Sequence, residues 1–140
     1  MNDKNKVFFD SNILVYTIDS NFPDKQVVSS KIIKDSIKNN TGFISTQCLQ
    51  EFYNVSTKKL NCSKEYAKTF VEGFSNSFEI QQINTQLILS AIDISIKYQF
   101  SFWDSLIISS AISCDCSILY SEDLSNGQVI EGIKIVNPFM

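Results

Sequence analysis

Short apolar runs alternate along this chain with longer stretches of helical periodicity, and that alternation leaves few folds open. Lys6-Val7-Phe8-Phe9 suits a buried strand. It gives way at Asp10-Ser11-Asn12 to the apolar patch Ile13-Leu14-Val15-Tyr16, a pattern of strand, turn and helix. After the break at Phe22-Pro23-Asp24, residues Val27, Val28, Ile32, Ile33 and Ile37 keep helical spacing opposite Lys31, Lys34 and Lys38, which predicts a helix over about 24–39. Phe43-Ile44 is a short strand, and Ser45-Thr46 caps a helix through Leu49, Phe52, Val55 and Leu60 that contains Glu51. A helix over 64–75, a strand at Phe78-Glu79-Ile80, a helix from Asn84-Thr85 towards Tyr98 and another over 101–113 follow. Ser117-Ile118-Leu119-Tyr120 and Ile133-Lys134-Ile135-Val136 complete the strands. Such alternation predicts an α/β sandwich around a largely parallel sheet.

At 140 residues and 44% hydrophobic, the chain fits one domain spanning 1–140 with a core that needs no disulfide or metal staple. The polar start Met1-Asn2-Asp3-Lys4-Asn5-Lys6 and the short apolar run behind it offer neither a signal peptide nor a membrane span, so we expect a cytoplasmic protein with no membrane partner. Cys48, Cys62, Cys114 and Cys116 form no CxxC pair, and with no histidine in the chain they read as ordinary reduced thiols. The absence of histidine also excludes Ser-His and Cys-His catalysis, leaving carboxylates, lysines, hydroxyls or a cofactor. All twelve basic residues are lysines and the net charge is -3, so no general attraction for a polyanion exists; a nucleic-acid role needs a local basic patch or bound cations.

Sites in open α/β sheets lie at the carboxyl ends of the strands, and that rule sorts the fifteen acids. Asp93 before Lys97 and Asp35 among lysines read as solvated helix faces, and Asp19 and Asp24 as cap or turn residues. Asp10 ends the first strand, with Asn12 two residues on, and is either a helix cap or a ligand-facing acid. Asp123 repeats the arrangement after Ile118-Leu119-Tyr120, with Ser121 at the strand exit. Glu51 is a surface glutamate or looks into a cleft with Val55 and Lys58 on its face; Asp104 caps the following helix or does more. Like charges about 4 Å apart repel by roughly 4 kcal/mol at an effective dielectric of 20, so convergence of all four implies a cation. Carboxylates without imidazole or thiolate suit Mg²⁺ or Mn²⁺, and phosphodiester hydrolysis is the matching reaction.

Four segments, in order, resemble the PIN-domain family, especially VapC-type ribonuclease toxins. "FFDSNILVY" (8–16) is similar to the opening strand with its first acid, Asp10, and "STQCLQEFYNV" (45–55) to the segment carrying the second, Glu51. "FSFWDSLIISSA" (100–111) resembles the most characteristic segment, with Asp104 as third acid. "LYSEDLSNGQVIEGIKIVNPF" (119–139) resembles the ending, with Ser121 and Asp123 as site hydroxyl and fourth acid. The resemblance implies a three-layer α/β/α sandwich and a Mg²⁺- or Mn²⁺-dependent endoribonuclease with an antitoxin partner and a homodimeric state. Asp10, Glu51, Asp104 and Asp123 would hold metal, Asn12 and Ser121 would support the ligands, and Lys58 and Lys59 would steer RNA. With no arginine in the chain, metal and lysine must supply the positive charge at the phosphate, and the acidic balance suits a basic antitoxin tail.

Three other readings are weaker. An aspartate-based phosphatase of haloacid-dehalogenase type wants a second Asp where Asn12 stands. A PIN-like RNA- or protein-interaction module that no longer cuts would have little reason to keep four acids. Glycines at 42, 73, 127 and 132 cannot assemble a phosphate-binding loop.

Overall fold

The computed structural model describes residues 5–140, so the reading of Met1-Asn2-Asp3-Lys4 lies outside the described residues. β1 (Val7–Phe9) leads into α1 (Ser11–Tyr16) and α2 (Pro23–Lys38), and β2 (Gly42–Ser45) into α3 (Thr46–Lys58) and α4 (Lys64–Ser77). β3 (Glu79–Gln81) leads into α5 (Thr85–Tyr98) and α6 (Phe102–Ser113), and β4 (Ile118–Tyr120), β5 (Val129–Ile130) and β6 (Ile133–Val136) follow. Short polar side chains set most helix starts by accepting an otherwise orphaned N–H. Asp10 caps α1, Ser45 α3, Ser63 α4, Asn84 α5 and Ser101 α6. α2 has no side-chain cap and begins instead on Pro23, whose fixed φ suits the first turn.

The strands form one sheet in the order β3-β2-β1-β4-β6-β5, parallel throughout except where β5 runs against β6. From β1 the chain winds outward through β2 to β3, then crosses back to β4 on the far side of β1. Right-handed crossovers therefore place α1–α4 on one face and α5–α6 on the other, giving the three-layer α/β/α sandwich. The winding reverses between β1 and β4, and such a switch point opens a crevice at the carboxyl ends of the two strands. Phe8, Phe9, Ile44, Leu119 and Ile135 are fully buried, as strands covered on both faces require.

α6 has no solvent-facing side from Ser105 to Ala111, all of which is buried. Its serines pack without leaving polar atoms loose at two positions: Ser105 Oγ donates to the Ser101 carbonyl and Ser110 Oγ to that of Leu106, each at 2.8 Å. The strand missing from the sequence reading is β5. It has two residues, too few to show a period, and its hairpin to β6 turns through Glu131 and Gly132, both at positive φ (49° and 88°), with Glu where Asn or Asp would have signalled the turn. Among the described residues no helix is long and apolar enough to cross a membrane.

Gly42 begins β2 where the chain passes closest to α2 and the end of α4. A Cβ there would meet Ser36 Oγ at 2.7 Å and the Phe78 ring at 2.8 Å, and that ring is held by Phe9 and Phe74. Overpacking of this kind costs about 1–3 kcal/mol. Gly42→Ala is expected to lower stability by that amount in urea denaturation; an unchanged midpoint would mean that Phe78 is free to move.

Candidate active site

β1 and β4 end side by side, and their ladder continues one residue further through Asp10 N–H, which donates to the Tyr120 carbonyl at 3.0 Å. Asp10 therefore enters the crevice at the switch point with its carboxylate buried, at 6% exposure. One oxygen accepts from the Ser11 N–H at 2.7 Å and the other from Ser121 Oγ at 2.8 Å. Asp10 thus caps α1 and at the same time faces the crevice.

Two intermediaries draw further acids towards it. Ser11 Oγ donates to Glu51 Oε1 at 2.9 Å, and Asn12 Nδ2 donates to Asp123 Oδ2 at 2.9 Å. The Asp123 N–H in turn donates to Ser121 Oγ at 3.3 Å, so Ser121 links the first and last acids. Asp10 is buried, Glu51 half-buried and Asp123 exposed, a gradient from the sheet outward. Burial pushes the Asp10 carboxyl up to about 7. The hydrogen bonds from Ser121 and Ser11 oppose the rise, and the charges of Glu51 and Asp123 add to it.

Asp104 stands apart from this network. The cap of α6 is Ser101, whose Oγ accepts the Asp104 N–H at 3.1 Å, which corrects the reading of Asp104 as the cap. Its side chain has no hydrogen-bond partner among the described residues, and its link to the other acids runs through the neighbouring backbone. Gln47 Nε2 donates to the Trp103 carbonyl at 3.2 Å and to Glu51 Oε2 at 3.4 Å.

The remaining acids follow simpler rules. Asp19 accepts from the Asn21 N–H at 3.0 Å as a turn residue, Asp24 sits in the first turn of α2, and Asp35 pairs with Lys31 at 3.1 Å. Lys97 does not pair with Asp93 four residues back; it reaches Glu131 at 3.1 Å, because the β5–β6 turn brings that carboxylate to the end of α5. All four cysteines are free thiols, and burial pushes that of Cys48, beneath Asp10, up to about 12.

The cleft outside the carboxylates is lined by Ser11, Asn12, Tyr16, Lys59, Glu122 and Asp123, among others. Both lysines are exposed; Lys59 lines the cleft and stands at the mouth of the site, whereas Lys58 is not part of the lining. Lys25 pairs with Glu122 and lies over the rings of Tyr16, Phe22 and Phe139 at 5.0–5.4 Å, bracing one wall. Ser11 and Gln47 are the residues whose roles the sequence reading missed. Ser11 was visible as a turn residue and as the small polar residue beside Asp10, without its tie to Glu51, while Gln47 precedes Glu51 by four positions and so shares its helix face.

As placed, no three acids or thiols among the described residues stand close enough together to hold an ion. The donor chemistry nevertheless fits a hard divalent cation. Asp10, Ser11, Asn12, Glu51, Ser121 and Asp123 all offer side-chain oxygens, burial raises the Asp10 carboxyl, and among the described residues Asn12 Oδ1 is buried without a partner.

The PIN domain model matches residues 7–125. No curated protein sequence gives a significant match. Among solved structures, the chain is similar to DNA-bound VapBC from Salmonella typhimurium, at 21% identity over 94% of this chain and 97% of that one, with a TM-score of 0.69. VapBC2 from Rickettsia felis, bound to a promoter DNA fragment, has 24% identity over 92% and 96% and a TM-score of 0.67. VapC20 from Mycobacterium tuberculosis, a sarcin-ricin loop cleaving toxin, has 14% identity over 84% and 90% and a TM-score of 0.65. The likenesses share the fold, and the family match over residues 7–125 includes Asp10, Glu51, Asp104 and Asp123: the chain belongs to the PIN domain family.

Proposed function

We propose that the protein is a metal-dependent endoribonuclease that hydrolyses RNA phosphodiester bonds and serves as the toxin of a toxin-antitoxin pair. The observation that carries this reading is the buried Asp10 carboxylate at the β1–β4 switch point, tied to Ser121 and approached by Glu51 and Asp123 through Ser11 and Asn12. Membership of the PIN family and the likeness to VapBC complexes and to an RNA-cleaving VapC support it.

Asp10, Glu51, Asp104 and Asp123 would hold Mg²⁺ or Mn²⁺, directly or through water. When bound, the cation supplies an activated water and offsets charge on the phosphate. Asn12 and Ser121 orient the carboxylates by hydrogen bonds, which fixes the donor set before substrate arrives. Lys59 at the cleft mouth, with Lys58 beside it, offers charge to the RNA backbone in place of an arginine. A basic antitoxin segment is the fitting inhibitor, since it can enter the acidic cleft and replace the missing positive charge; a homodimer is the assembly we expect by family likeness.

On a mixed RNA pool, wild type is expected to cleave with Mn²⁺ or Mg²⁺ and not with EDTA, and Asp104→Asn to lose at least 100-fold in rate, about 3 kcal/mol of barrier. Equal cleavage by both proteins, or none with any metal, would remove the nuclease assignment.

A second expectation concerns the metal-free protein. Because the folded-state value for Asp10, about 7, lies above the ordinary 3.8, the native chain keeps a proton that the unfolded chain has lost. Stability in EDTA should therefore fall as pH rises from about 4 to about 7 and level off above that. Asp10→Asn should flatten that slope in urea denaturation at pH 5 and 8 and be the more stable protein at pH 8. Parallel profiles for the two would show that Asp10 is solvated in the folded state.

A further inference from the structure

Trp103 is the chain's only tryptophan, and at 62% exposure its ring lies mostly in solvent, an unusual position for the largest apolar side chain. It is also tied to the site. Gln47, itself only 4% exposed, donates from one amide nitrogen to both the Trp103 backbone carbonyl and the Glu51 carboxylate, so the start of α6 that carries the indole is tied to a candidate metal ligand. Phe102 meets the indole edge to face, with ring centroids 5.0 Å apart. In that geometry at least one face of the indole stays open whichever ring presents its edge.

Opposite Trp103 the wall is a polar stripe of α3. Gln47, Gln50, Glu51 and Asn54 fall at i, i+3, i+4 and i+7 and share a helix face, and with Trp103 they line a cleft of 350 Å³. Three of the four are amides, which can both donate and accept, and no cationic residue lines the cleft. A groove without positive charge does not select a phosphate. An aromatic plane beside amide side chains matches a neutral, splayed-out nucleobase, which stacks on the ring and offers its edge to the amides.

We infer that this cleft is a subsite for one unpaired base of the RNA, with Trp103 as the stacking platform and Gln50 and Asn54, both exposed, as the groups that meet the base edge. The inference rests on the ribonuclease reading and deepens it: the favoured substrate is single-stranded next to the scissile phosphate. Trp103 binds and positions; it takes no part in bond cleavage.

The single tryptophan makes the test direct. In an Asp10→Asn background with Mg²⁺, a short single-stranded oligoribonucleotide of mixed sequence is titrated while indole emission and the anisotropy of a label on the RNA are followed together. Emission is expected to quench in step with anisotropy, and the same oligomer annealed into a duplex is expected not to quench. Trp103→Ala should weaken binding about 5- to 150-fold, the range for losing one base stack, and Trp103→Phe should keep most of it. Saturating anisotropy with unchanged emission, and equal binding by Trp103→Ala, would overturn the subsite and leave the ribonuclease reading standing. Quenching by a basic antitoxin protein and not by RNA would assign the cleft to a protein partner and likewise overturn it. No RNA binding by any variant, together with no metal-dependent cleavage by wild type, would remove the subsite and the ribonuclease reading at once.

Discussion

The site depends on one carboxylate that has nowhere to be hydrated. Asp10 follows directly on two fully buried phenylalanines of the central strand, and the ladder to β4 carries its backbone one step into the crevice before α1 turns away. Ionising it in the folded chain costs on the order of 4 kcal/mol, and that cost organises what surrounds it. Ser121 and the first N–H of α1 take its two oxygens, Ser11 and Asn12 hold Glu51 and Asp123 by hydrogen bonds of their own, and Asn12 Oδ1 is buried without a partner among the described residues. The hydroxyls and amides thus keep three mutually repelling acids near one another without collapsing them.

The chain has few other ways to meet that need. It contains neither histidine nor arginine, so an imidazolium or a guanidinium cannot neutralise the cluster from within, and Lys25, the cation braced beside the cleft, is already paired with Glu122. Lysine at the mouth and a bound hard cation would be the remaining sources. The same shortage fits the expectation of a basic antitoxin, because a protein that lacks arginine at an acidic cleft leaves that position open to a partner's.

Much of this was legible in the sequence because the determinants are local. The strand-end positions of Asp10 and Ser121 follow from apolar runs that stop, and the caps Ser45 and Asn84 sit where short polar residues precede helical spacing. What was not legible is what the fold brings together across distance. Ser11 meets Glu51 across forty positions, and Gln47 ties α3 to Trp103 across fifty-six; neither contact leaves a trace in periodicity. Lys97 illustrates the same limit in reverse, since its partner four residues back loses to Glu131 on a hairpin too short to show as a strand. Asp104 was placed correctly at a helix start and wrongly as its cap, because Ser101 three residues earlier is the better acceptor.

That account turns on whether the crevice takes a divalent ion through these acids. Calorimetric titration of Mn²⁺ into the wild-type protein and into Asp123→Asn, with no RNA present, measures it without reference to catalysis. Saturable binding by wild type, weakened at least tenfold in the variant, is the predicted result. Indistinguishable isotherms, or no binding heat in either protein, would contradict it.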